Sequence, residues 1–160
     1  VRIVQKETDR LDVVAEIPAR RKIIVLGDVS EPPGSPGPIY RRLGGRGADI
    51  ATQAIFIGRN DNSYQVGAVR RGMSRNAITR AGRSLKSALS ALPSDLGEGD
   101  IVLIKGRTTS GWAESPWHLW DGRYDVTSFH VMHAIRSGVP GVECFDYGVM
   151  LEKAGIKDGY

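Results

Sequence analysis

Apolar positions along this chain gather into short, nearly continuous runs with polar residues before them and glycine after them. One run is Arg21-Lys22-Ile23-Ile24-Val25-Leu26-Gly27-Asp28, and a second is Gly99-Asp100-Ile101-Val102-Leu103-Ile104-Lys105-Gly106. A third, Gln53-Ala54-Ile55-Phe56-Ile57, ends at Gly58. Runs of this length without alternation read as strands buried on both faces, the kind found in parallel sheets. In such sheets ligands collect at the carboxyl ends of the strands, so the polar residues at those exits are the first place to look for chemistry.

Between the strands the period changes. Ala77, Ile78, Ala81, Leu85, Ala88, Leu89 and Leu92 follow helical spacing until Pro93, although residues 76–80 read equally well as a short strand ahead of the helix. Residues 39–51 suggest a helix with Tyr40, Leu43 and Ile50 as contacts, weakened by Gly44, Gly45 and Gly47. The proline- and glycine-dense residues 30–38 read as a loop, residues 59–63 as a polar turn, and residues 64–73 fit no single template. Near the start, Ile3 and Val4 suit an edge strand, and Leu11, Val13, Val14 and Ile17 a short helix closed by Pro18. Residues 127–136, with Thr127 or Ser128 as N-cap, and residues 145–154 suggest two late helices. Strands alternating with helical segments predict an α/β protein with a mostly parallel sheet.

The 160 residues suffice for one domain, and 41% hydrophobic with 25% charged residues is ordinary for a globular chain. No apolar run reaches the length of a membrane span and no signal peptide is visible, so no membrane partner is expected. The single cysteine, Cys144, forms no internal disulfide, which suits a cytoplasmic location. The net charge of +4 is spread over Arg20-Arg21-Lys22, Arg41-Arg42, Arg70-Arg71 and single residues, with no aromatic-interleaved platform, so nucleic acid is not an expected partner. A first residue of Val1 rather than Met leads us to expect a fragment of a longer protein.

Strong catalytic motifs are absent. No Gly-x-x-x-x-Gly-Lys-Ser/Thr loop occurs, and Gly44-Gly45-Arg46-Gly47 reads as ordinary loop glycine. His118, Asp125, His130, His133 and Cys144 do not assemble a zinc signature. Ser110, His118 and Asp121 lack the nucleophile-elbow pattern. Trp112, Trp117 and Trp120 suit packing of the C-terminal extension or a partner contact. The strand exits remain. Lys105, Arg107 and Thr108, with Thr109 and Ser110, supply cations and donors for a carboxylate or phosphate. Glu114, Asp28 and Glu31 supply anions for an ammonium. Together they read either as a site for a zwitterionic amino substrate or as ion pairs at the surface.

The two longest motifs resemble Mur ligases. Arg21 to Glu31 is similar to that family's (R/K)-K-I-x-V-L-G-D-M-x-E-L-G segment, and Gly99 to Arg107 to its P-G-D-x-V-L-V-K-G-S-R segment, nearest the branch that adds D-alanyl-D-alanine to a peptidoglycan precursor. The likeness covers roughly residues 12–115 and the C-terminal domain of the family. It implies a Rossmann-like three-layer sandwich over residues 1–115, with residues 116–160 as a helical C-terminal extension packed on the same domain. It further implies an ATP- and Mg-dependent ligase in which an amine attacks an acyl phosphate. The resemblance assigns ATP and Mg to an upstream ATP-binding domain of the same chain, with no cofactor bound by this part alone and no catalytic residue within it. An amino-acid or peptide substrate is the implied ligand, held by Lys105, Arg107, Thr108 and the loop to Glu114, with Asp28 and Glu31 on the adjacent loop. The family pattern also favours a strand at residues 77–80. Residues 1–12 lack the family's Asp-Asp-Ser-Tyr-Asn-Ala-type loop, and Pro32-Pro33-Gly34 replaces its Leu-Gly. The competing expectation is a non-catalytic α/β module that binds a small anion or a protein partner.

Overall fold

The computed structural model describes residues 2–6, 11, 15–28, 34–105 and 143–146. Six strands form one sheet in the order β4-β3-β2-β5-β1-β6, and every neighbouring pair is parallel. They are β1 Arg2–Lys6, β2 Arg21–Leu26, β3 Gln53–Ile57, β4 Ile78–Gly82, β5 Asp100–Lys105 and β6 Glu143–Asp146. Helix α1, Pro36–Ile50, links β2 to β3; α2, Asp61–Arg70, links β3 to β4; and α3, Leu85–Ser90, lies between β4 and β5. The architecture is α/β and Rossmann-like.

Strand alternation builds two cores. Ile24, Leu26, Ala54, Phe56, Ile101 and Leu103 face Tyr40 and Leu43 of α1 and Tyr64 and Ala68 of α2, together with Leu11 and Ile17. Ile23, Val25, Ile55, Ile57, Val102 and Ile104 face the other way, onto Ala88 and Leu89 of α3 and the Leu92–Leu96 stretch that follows it. Because both faces are covered, these strands carry no polar alternation. The steps β2 to β3 to β4 run in one direction and are bridged by α1 and α2 on one face. The return from β4 to β5 is bridged by α3 on the other face, as the right-handed crossover rule requires of opposite steps.

Several boundaries differ from the sequence reading. Ile3 and Val4 do not lie on an edge strand, since β1 sits between β5 and β6 and pairs with both. Helix α1 starts at Pro36, inside the expected proline loop, because a first-turn proline gives up an N–H that the helix would leave unbonded anyway. Residues 61–70 form α2, although their polar composition gave little apolar periodicity. The strand at residues 78–82 is real, entered through a 3-10 turn at Arg75–Ala77, and α3 is correspondingly shorter than its apolar run. Phe145 and Cys144 belong to β6 rather than to a helix starting at residue 145: the run opens after Pro140-Gly141, and the free edge of β1 supplies backbone partners. Residues 12–14, 29–33 and 127–136, the three tryptophans and the three histidines lie outside the described residues.

The glycines of α1 are not loop glycines. A Cβ at Gly44 would overlap the Tyr64 carbonyl, one at Gly47 would overlap Ile24 Cδ1, and one at Gly67 of α2 would overlap the Arg41 carbonyl. The two helices touch backbone to backbone there, and the backbone of α1 rests directly on the Ile24 side chain of β2.

At the amino end of the sheet, a clamp joins β2 to β5. The fully buried Asp100 carboxylate accepts from Arg20 Nε (3.0 Å) and Nη2 (2.8 Å), from Arg21 Nε (3.1 Å) and Nη2 (2.6 Å), and from the Gly97 amide (3.0 Å). Arg21 also reaches Asp95 at 2.8 Å. The polar residues that lead into both matched motifs therefore hold the sheet together, at the end opposite the expected site.

Candidate functional site

The carboxyl ends of β2 and β5 lie side by side. Their register pairs Leu26 with Lys105, and the Gly27 amide donates to the Lys105 carbonyl at 2.7 Å. From this point β2 continues toward β3 on one side, while β5 continues toward β6 on the other. Two neighbouring strands whose connections depart in opposite directions leave a crevice between their exits, and ligands of open α/β sheets bind at such a switch point. The two motifs singled out in the sequence meet here.

A continuous rim of contacts extends from the crevice across four strands. Gly27 touches β5 through its amide and α2 through its carbonyl, which accepts from the Tyr64 hydroxyl at 2.6 Å. Asp28 leans against the exit of β3, where a Cβ placed on Gly58 would lie 2.5 Å from its Oδ1. The Gly58 amide donates to the Gly82 carbonyl at the exit of β4, at 2.7 Å. Gly58 has φ of +98°, so the tight turn into α2 and the approach of Asp28 both depend on a residue without a side chain.

Tyr64 is the floor of this region. Its ring stacks on Phe56 (5.0 Å between centroids) and meets Tyr40 edge-on (4.8 Å). Burial first, then the nearby Tyr40 and the charge on Asp28, push its phenol well above the ordinary tyrosine range. It stays protonated and remains a donor to Gly27. Beyond it, Asp61 opens α2 and is held by Arg80 Nη2 at 3.0 Å.

Of the six residues expected at the site, the structure places two. Asp28, half-buried, and Lys105 stand at adjacent strand exits on the α1/α2 side of the sheet. Lys105 is the last residue of β5 and 5% exposed, so it is held within the fold rather than offered on a loop. Glu31, Arg107, Thr108 and Glu114 lie outside the described residues. Gly58, Tyr64, Arg59 and Arg83 were missed. A sequence signal was available: Gly58-Arg59 and Gly106-Arg107 stand at the ends of apolar runs, the same dipeptide recurs at Gly82-Arg83, and Gly58 and Gly82 prove to be neighbouring strand exits.

Pro36 and Pro38 remove two of the four free amides from the first turn of α1, the turn a dinucleotide-type site would use. No three His, Cys, Asp or Glu side chains converge as a metal set among the described residues. No described helix is long and apolar enough to cross a membrane. No family model, curated protein or solved structure matches the chain.

Proposed function

We propose that this chain is the amino-substrate-binding lobe of an ATP-dependent, amide-bond-forming ligase of the Mur ligase type, working in the cytoplasm and not catalytic by itself. The observation that carries this reading is the meeting of the two Mur-like motifs at one switch-point crevice, with Asp28 and Lys105 at its edges. Asp28 accepts hydrogen bonds from the incoming ammonium group. Lys105 supplies positive charge for the substrate's carboxylate, and the resemblance adds Arg107, Thr108, Glu114 and Glu31 to the same shell. This reading assigns ATP and Mg to an upstream domain of the same chain. The lobe's contribution is to fix the amine and shield it from water when the two parts close.

A thermal-shift screen with amino acids, dipeptides and nucleotides tests this, because a ligand that binds only the folded form raises the melting temperature. An amino acid or dipeptide is expected to raise it and nucleotides are not. Arg107→Ala and Asp28→Asn are expected to remove the response. A response to nucleotides alone, or one indifferent to both substitutions, overturns the reading. The second reading, a non-catalytic module for a small anion or a protein partner, draws on the same crevice and on the poor phosphate geometry of α1. A response to simple anions without any to amino compounds favours it.

A further inference from the structure

Read along the chain, the basic residues look dispersed, but the fold gathers many of them on one layer. From Pro36 to Ala77 the sequence has seven arginines, no lysine and two aspartates. Helices α1 and α2 of that stretch lie together on one face of the sheet, and Met73 packs on the same core just ahead of the turn that carries Arg75. Both aspartates are taken, Asp49 by Arg71 and Asp61 by Arg80. Arg46 is engaged within the fold, and Arg59 follows Gly58, against which Asp28 leans. Of the rest, Arg42, Arg70 and Arg75 are exposed, and none of the three is ion-paired among the described residues.

Packing brings these arginines onto one surface. Helix α1 turns Tyr40, Leu43, Gly44 and Gly47 inward, which leaves Arg42 on its outer ridge. Helix α2 buries Tyr64, Gly67 and Ala68, which leaves Arg70 on its own. Gly44 lies against the Tyr64 carbonyl and Gly67 against the Arg41 carbonyl, so the helices come closer than side chains ordinarily allow and their outer ridges merge. Arg71 spans the seam, with its Cγ packed over Gly45 and its guanidinium on Asp49. Other exposed residues of the stretch include Asn62, Ser74 and Asn76, and no aromatic or large aliphatic side chain is among them. Tyr40, Phe56 and Tyr64 are all buried.

We propose that this surface docks on the sugar-phosphate backbone of a nucleic-acid duplex, with Arg42, Arg70 and Arg75 each meeting a phosphate. A guanidinium fork holds two phosphate oxygens at once, and asparagine and serine donors serve the same backbone. Unpaired bases need exposed aromatic rings to stack on, so the surface suits a duplex rather than a single strand. A protein partner needs buried apolar or aromatic anchors, which this surface does not offer. The proposal does not rest on the crevice as an amino-substrate site.

Fluorescence anisotropy of short labelled DNA and RNA duplexes, titrated with the 160-residue chain, is the test. Three phosphate contacts predict an affinity that falls about 40-fold between roughly 50 and 200 mM salt. Arg42→Gln, Arg70→Gln and Arg75→Gln are each expected to weaken binding several-fold whatever the base sequence, and to lower the salt slope by about one. Lys86→Gln removes an exposed charge from α3, on the opposite face of the sheet, and is expected to change neither. Binding of either duplex with this salt dependence and this pattern of variants supports the proposal, and the tighter of the two identifies the target. No binding at low salt, indifference to the three arginine substitutions, or equal weakening by Lys86→Gln overturns it. Tighter binding to the matching single strand or to polyglutamate overturns it as well.

Discussion

Single positions at the rim are fixed by what surrounds them, and Gly58 shows it most directly. Any side chain there meets the Asp28 carboxylate at 2.5 Å and is held at a φ of +98°. Gly58→Ala is expected to lower stability by about 2 kcal/mol, measured by urea denaturation, and to displace Asp28. The response to amino compounds should therefore fall even in the folded fraction. Tyr64→Phe keeps the ring stacking but strands the Gly27 carbonyl in a buried site, at a cost of about 1–2 kcal/mol. The Tyr64 phenol also sets an alkaline limit. Its folded value lies above its unfolded one, so the stability it contributes is complete below about pH 10 and is lost as pH rises past that point. Tyrosinate absorbance of the wild type and Tyr64→Phe should coincide near pH 10, with the extra ionisation in wild type appearing only on unfolding. An early ionisation lost with the hydroxyl contradicts the buried placement. Asp28 and Lys105 were legible because each directly follows or ends an apolar run. Tyr64 and Gly58 were not, because their roles depend on contacts with Gly27 and Asp28 across the fold.

Elements were legible where the core dictates the pattern and illegible where backbone contact does. Strands β2, β3 and β5 announce themselves because both faces are buried. Helix α1 does not, since its glycines lower helix propensity and its prolines look like loop. Propensity and packing give opposite predictions for Gly67→Ala. Alanine gains roughly 0.8–1 kcal/mol in a helix interior, but its Cβ would overlap the Arg41 carbonyl, a backbone group that only shifts if α1 moves. Packing dominates, and a net loss of about 2–3 kcal/mol is expected, seen as a lower denaturation midpoint. A stabilised Gly67→Ala would show that the two helices do not approach at this point. Strand β6 escaped because nothing local marks it. The sequence around residues 143–146 is short and mixed, and the strand forms where the edge of β1 offers a ladder.

Across the whole molecule, the sheet depends on joining segments far apart in sequence, and the Asp100 clamp does this for its central pair. One carboxylate, fully buried, gathers Arg20 and Arg21 from some 80 residues away and caps the Gly97 turn. Hydrogen bonds from Arg21, then from Arg20, outweigh burial and hold Asp100 far below the usual carboxylate range. A depressed carboxylate contributes stability that is present above its unfolded value, about pH 4, and is lost as pH falls toward the folded one. The exposed Asp95 and Asp49, lowered by Arg21 and Arg71 respectively, titrate in the same sense but are screened by solvent. Asp100→Asn separates these contributions. Its amide turns one donor toward donors and removes the charge, so stability at pH 7 should drop by about 2 kcal/mol. The loss stays below that of a severed buried pair because Arg20 and Arg21 retain contact with water. Denaturation of both proteins from pH 7 to pH 3 supplies the check. Wild type should lose stability steeply below pH 4 while the variant loses much less, so the two curves converge in acid. If they run parallel, Asp100 is not the group that titrates, and the junction of β2 with β5, on which the crevice at the opposite end of those strands depends, is held by something other than this clamp.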